Sequence, residues 1–322
     1  MNPPIPTASQ VRTAPARGLD IKKARNWRLS AIALAGLSIY LVATQRLMGL
    51  RLEHYVLATV YLALVVAGGR AFRFLGLFLP CVLTGVSYDY FRLVQGLRGE
   101  VHVADLYHAE LALFGIGSGD SRILLTDFFV QHNHPIFDLA GGIAYIIYLY
   151  VPMACAIALF FVDEERMFTV GVVFLATNLL GLMVYLLYPA APPWYVAQHG
   201  LGPVQLDTLP NAAGTVRFDH LLGVDYFTSF YKRSANVFGA MPSLHVAFPA
   251  GTMLSLLPLG KRWWVPCLAI TLLVAFAAVY FQHHYVLDVL AGFACAVLAW
   301  LGATAALKRW GGVLFAPASG GT

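Results

Sequence analysis

Apolar residues in this chain come in long, nearly unbroken runs, and each run is close to the length that crosses a bilayer. About 20 mostly apolar residues span the hydrocarbon core as a helix, which satisfies its own backbone N–H and C=O groups. The runs at 29–48, 55–70, 72–91, 137–161, 167–188, 239–258, 263–281 and 286–307 predict eight such helices. Two long connections, 92–136 and 189–238, fall on the same side of the membrane, the outer side. The predicted fold is all-α, a polytopic membrane helical bundle of about eight transmembrane helices in one domain, residues 28–310. Residues 1–27 are Pro/Ala-rich and basic, with no apolar stretch of the signal-peptide kind, and read as a flexible cytoplasmic tail; 311–322 read as a C-terminal tail.

Composition excludes the soluble alternatives. The 322 residues carry 21 Lys+Arg and 16 Asp+Glu, 11% charged against 59% hydrophobic, with a mean hydropathy of +0.70. A soluble domain carries about 25% charged residues, so neither a soluble enzyme nor a disordered chain fits. The net charge of +5 implies no nucleic-acid partner, because cations flanking spans set topology. Arg12, Arg17, Lys22, Lys23, Arg25, Arg28, Arg70, Arg73, Arg166, Lys261, Arg262, Lys308 and Arg309 fall on the side of the two termini, in its short segments, which marks that side as cytoplasmic. All ten histidines fall on the other, extracytoplasmic (periplasmic or luminal) side. Cys81, Cys155, Cys267 and Cys295 sit in apolar runs and suggest neither disulfides nor a metal quartet.

Ionisable groups appear at the outer ends of three neighbouring spans. Val237 to His245 opens the sixth, and Tyr280 to Asp288 joins the seventh to the eighth, so a helical hairpin brings His245 and His284 to the same depth. His284 and Asp288 are spaced i, i+4 and share a helix face. A carboxylate there can fix the imidazole's tautomer and leave the other ring nitrogen free as nucleophile or base; a satisfied structural His-Asp pair is the plainer alternative. An intramembrane carboxylate is costly without a role. Pro242 and Ser243 open the sixth helix, whose free N–H groups form an anion site. An anion flanked by two histidines suggests phosphate.

Pro242-Ser243-x-His245 followed by His284-x-x-x-Asp288 resembles two signatures of the type 2 phosphatidic acid phosphatase superfamily. The stretch Tyr188 to Tyr195 (YPAAPPWY), with Phe238 to His245 (FGAMPSLH) and His283-His284-Tyr285, resembles the branch containing fungal inositol phosphorylceramide synthase. The resemblance covers about residues 130 to 300. It implies the superfamily's six-helix core and a cofactor-free, metal-independent displacement. His284 would attack phosphorus, Asp288 would orient it, and His245 would protonate the leaving oxygen and then deprotonate the acceptor. Ser243 would hold phosphoryl oxygens. The superfamily's phosphatases carry a Ser-Arg pair where this chain has Ala277 and Ala278, and its Arg-Pro signature is absent; Arg92, or Lys232 and Arg233, are the candidate substitutes. Fewer cations suit a phosphodiester. The expected activity is therefore transfer of a phosphoinositol-like headgroup from a phospholipid to a lipid hydroxyl such as that of ceramide. A lipid-phosphate phosphatase is the alternative and a transporter a remote one.

Other features read more weakly. Trp194 and Tyr195 would line the mouth of the site or belong to an interfacial aromatic belt. Gln131-His132-Asn133-His134-Pro135 reads as a polar loop rather than a zinc site, and His283 as packing beside the nucleophile. His102 to Gly115 suggests an amphipathic interfacial or loop helix. Tyr145, Tyr148, Tyr150, Phe160 and Phe161 read as helix packing.

Overall fold

The computed structural model describes residues 27–233 and 236–314. The tail read at 1–27 lies, except for Trp27, outside the described residues, as do 315–322; residues 311–314 form the last turn of a helix rather than a tail. Fourteen α-helices occupy the described residues: α1 Trp27–Leu47, α2 Leu52–Ala67, α3 Gly69–Tyr90, α4 Ala104–Phe114, α5 Leu125–Gln131, α6 Pro135–Ile147, α7 Tyr150–Leu159, α8 Glu164–Leu187, α9 Pro193–His199, α10 Val216–Leu222, α11 Tyr226–Tyr231, α12 Leu244–Leu256, α13 Lys261–Tyr280 and α14 Val286–Leu314. The protein is an all-α, multi-pass integral membrane protein.

A helix occupies every predicted span, but the lengths differ. α1, α3, α8, α13 and α14 are long and apolar enough to cross a membrane, and α6 with α7 forms a sixth candidate bent by 55°. α2 has 16 residues and α12 only 13. The reason for the short α12 lies just before it. Residues 238–240 do not begin a helix; they are extended, with Ala190 N–H donating to Phe238 O at 2.9 Å and Ala240 N–H to Ala190 O at 3.2 Å. Pro242 then removes a donor, and the helix starts at Leu244.

The chain divides into two compact units, up to Gly76 and from Leu77, with the division inside α3. In the first, α1 and α2 form a hairpin in which the Tyr61 hydroxyl donates to Ala33 O at 3.4 Å. In the second, α12 is the hub, packing against α7, α8, α13 and α14. Its Val246, Ala247, Phe248, Ala250, Gly251 and Leu256 are buried. Small residues bring helix axes close, as is common in membranes. A Cβ at Gly292 of α14 would lie 2.5 Å from the Ser243 carbonyl oxygen, and one at Gly181 of α8 would lie 2.5 Å from Leu244. Leu272, Leu290, Leu298 and Leu301 remain exposed on the outer faces of α13 and α14, where lipid tails replace the missing contacts.

Candidate active site

His245 lies in the first turn of α12 and His284 in the turn joining α13 to α14. Their rings meet, His245 Nδ1 and His284 Nε2 being 2.9 Å apart. His284 Nδ1 lies 2.8 Å from the Ala240 carbonyl oxygen, a partner that can only accept. Nδ1 therefore carries the proton, and Nε2 presents its lone pair toward His245.

Asp288 stands differently from the simple triad expectation. Its Oδ2 is 3.6 Å from His284 Nδ1, beyond hydrogen-bond length, and accepts the Tyr285 N–H at 2.8 Å. The Ala240 carbonyl takes the nearer position. Asp288 is fully buried, its Oδ1 has no hydrogen-bond partner, and its backbone carbonyl accepts the Ser243 N–H at 2.9 Å. The carboxylate thus holds the turn and faces the imidazole electrostatically, while main chain fixes the tautomer.

That main chain is itself braced. Residues 101–103, 189–191 and 238–240 form a three-ply of extended backbone in which His102 pairs with Ala190 and Ala190 with Gly239. The proline-rich stretch from Tyr188 to Tyr195 is therefore structural framework rather than only a mouth. The turn that carries His283 and His284 is gripped as well: Trp194 N–H donates to Gln282 O at 3.1 Å and Gly214 N–H to Phe281 O at 3.0 Å. Arg217 and Asp138 pair at 2.7 Å, and the Tyr280 hydroxyl donates to the same carboxylate at 2.9 Å. Gln282 takes a left-handed φ of +59°, which turns the chain sharply just before the histidines.

Aromatic rings flank the pair. Tyr145 stacks on His245 at 4.6 Å and on His283 at 5.4 Å, and Tyr231 covers the other face of His283 at 4.6 Å. Tyr148 also contacts the His245 ring at 4.6 Å. Two of the tyrosines read as packing therefore touch the site; their i, i+3 spacing on one helix face was the available signal. Burial pushes the His283 imidazole down to about 3, so it stays neutral.

A cavity of about 490 Å³ opens against His245, His283 and His284, within the 300–1,000 Å³ usual for ligand sites. Arg92, Arg233 and Trp194 line it; Lys232, Tyr195 and Ser243 do not. Arg92 is also paired to Asp89 at 2.9 Å. Tyr195 is instead buried against Phe238, its hydroxyl accepting from Gln205 N–H at 2.8 Å. Ser243 is buried with its hydroxyl unpartnered and does not cap α12. From Tyr88 to Cys81 on α3 and from Tyr185 to Phe174 on α8, the lining runs roughly 10–16 Å along the helices at 1.5 Å per residue. This deep arm is mainly apolar.

Ala277 and Ala278 are completely buried, and both His283 and His284 N–H groups converge on the Ala278 carbonyl at 3.1 and 3.0 Å. An arginine there would find packed side chains, not a ligand. His134 caps α6 and His132 stacks on Phe128 at 4.1 Å. Among the described residues no group of three or more His, Cys, Asp or Glu gathers as a metal site. Glu110, read only as part of a surface helix, is buried against the start of α14.

No solved structure matches this chain. It is 37% identical over 270 residues to the phosphoinositol dihydroceramide synthase of Bacteroides thetaiotaomicron, covering 82% of this chain and 88% of that protein. It is 33% identical over 159 residues to the inositol phosphorylceramide synthase of Candida albicans, covering 49% and 34% of the two chains. With the Saccharomyces cerevisiae inositol phosphorylceramide synthase catalytic subunit it shares 32% identity over 127 residues, 36% and 29% of the two. The profile of the PAP2 superfamily matches residues 120–302, the segment that supplies both histidines, Asp288 and the helices that hold them, and the chain belongs to that superfamily.

Proposed function

We propose that the protein is a membrane lipid phosphotransferase that moves a phosphoinositol-like headgroup from a phospholipid to the hydroxyl of a ceramide-like lipid. The carrying observation is the direct meeting of His245 and His284 on the wall of a cavity whose arm along α3 and α8 is mainly apolar. The names of the three relatives described above support the same substrate class. The scarcity of cations supports a diester: Arg92 and Arg233 line the cavity, and the Ala277–Ala278 position has no room for another. The cation bias and the ten outer-side histidines support an extracytoplasmic site with both chain ends cytoplasmic.

The chemistry runs in two displacements. The donor phosphate parts the two imidazoles and meets the His284 Nε2 lone pair. A P–N bond forms as the P–O bond to diacylglycerol breaks, and His245, as the imidazolium, gives one proton to the departing oxygen and is left neutral. The Ala240 carbonyl and buried Asp288 favour the positive imidazolium that results. The acceptor hydroxyl then gives its proton to His245 and attacks phosphorus; the P–N electron pair returns to His284. Tyr145 and Tyr148 hold the His245 ring in the plane this requires, and Ser243, freed by a small shift, donates to a phosphoryl oxygen.

The test is transfer in liposomes containing phosphatidylinositol labelled in the headgroup, with and without ceramide, for wild type and His284→Ala. Labelled product that needs ceramide and disappears in the variant is expected. Release of free inositol phosphate without transfer, or equal product from the variant, would overturn the reading.

A further inference from the structure

Glu110 belongs to α4, in the connection between α3 and α6, and the chemistry above gives it no task. It is nonetheless only 1% exposed. Its Oε1 accepts the Val286 N–H at 2.9 Å and its Oε2 the Leu287 N–H at 3.0 Å. The preceding N–H, that of Tyr285, goes to Asp288. Two carboxylates thus take three consecutive N–H groups at the start of α14, groups a helix cannot satisfy internally. Leu106 of the same helix belongs to a buried hydrophobic cluster with Leu124 and Tyr285. Both Glu110 oxygens face N–H donors, an arrangement that suits the ionised carboxylate and the positive helix end, although burial pushes its carboxyl above the usual range.

We propose that Glu110 is a positioning residue for the phosphoryl transfer: by gripping Val286 and Leu287 from a separate helix, it fixes the turn that presents His284 and Asp288. It also fills the N-terminus of α14. This role rests on His284 being the nucleophile. A turn released by even about 1 Å misaligns the attacking nitrogen, a displacement that can cost about 100-fold in rate.

Full-length Glu110→Gln, Glu110→Ala and His284→Ala would be reconstituted and assayed for ceramide-dependent transfer per folded molecule. Covalent label retained on the protein would be measured in parallel. Glu110→Ala is expected to lower kcat roughly 10- to 100-fold with the donor KM within about twofold, and label on His284 should fall in step. Glu110→Gln keeps one acceptor oxygen and should recover part of kcat; being isosteric, it carries the test if the alanine variant does not fold. A purely architectural role would reduce folded protein while leaving kcat per folded molecule intact, and that result, or a rise in KM alone, overturns the proposal. Transfer surviving in His284→Ala would overturn the underlying function instead.

Discussion

Gly292→Ala puts the spacing of α12 and α14, the helices beside His245 and His284, to a direct test. Gly292 lies one turn beyond Asp288 on α14, where the Ser243 carbonyl oxygen of α12 would stand 2.5 Å from an added Cβ, with the carbonyl carbon at 3.3 Å. An ordinary contact needs 3.4 Å or more, so backbone must separate from backbone by about 0.9 Å. No flexible side chain can absorb this, because the obstructing atom is main chain two residues before His245. The displacement therefore passes to the 2.9 Å His245–His284 contact. A misplacement of this size costs on the order of 100-fold in rate, and the overpacking costs about 1–3 kcal/mol of stability, offset by up to about 1 kcal/mol of helix propensity. Gly302→Ala is the control: the same helix, with nothing within 4 Å of the added carbon, and an expected gain of up to about 1 kcal/mol at unchanged activity. Transfer per folded molecule in liposomes and thermal unfolding in detergent measure both. If Gly292→Ala kept kcat within twofold of wild type, the α12–α14 distance would not set the histidine geometry and the reasoning would fail.

Ser243→Ala should lower kcat roughly 100- to 1,000-fold while leaving thermal stability equal or slightly higher, because the hydroxyl has no partner to lose; an unchanged kcat would remove Ser243 from the phosphate site. Arg217→Met strands the buried Asp138 carboxylate and should destabilise by about 3–5 kcal/mol, read as a lower unfolding midpoint that Asp138→Asn in the same chain partly restores. His283, neutral down to about 3 when folded against an ordinary 6.5, takes up its proton first in the unfolded chain. Its contribution is complete above pH 6.5 and shrinks as pH falls below that, by about 2 kcal/mol at pH 5. His283→Gln should remove that part of the acid sensitivity, and identical pH dependence in variant and wild type would contradict it.

The helices and the meeting of His245, His284 and Asp288 were legible because both are written in local patterns: apolar runs of bilayer length, and spacings of three and four residues that share a helix face. What escaped the sequence were tertiary choices. The run at 137–161 reads as one helix, yet the chain bends by 55° between α6 and α7. The run at 239–258 reads as helical from its start, but the pairing of Phe238 and Ala240 with Ala190 outcompetes helix there. Asp288 sits at the expected i, i+4 distance from His284, but the Ala240 carbonyl, 44 residues away in the chain, takes the imidazole proton. Glu110 shows the same limit: an acid in an amphipathic stretch reads as solvated, and only the fold reveals the helix end it plugs.

The grip on the catalytic turn has an implication for how this protein records its mutations. Trp194 holds Gln282, and Gly214 holds Phe281, through main-chain N–H and C=O groups, while the tautomer of His284 is set by another main-chain oxygen. Every residue except proline supplies those atoms, although at Gly214 an added Cβ would meet the Phe281 Cα at 2.8 Å. A side-chain-by-side-chain substitution scan would therefore pass over much of what aligns His284, the proposed nucleophile. Deletions, insertions and prolines in the two outer connections would expose it, silencing the enzyme from positions where point changes look harmless.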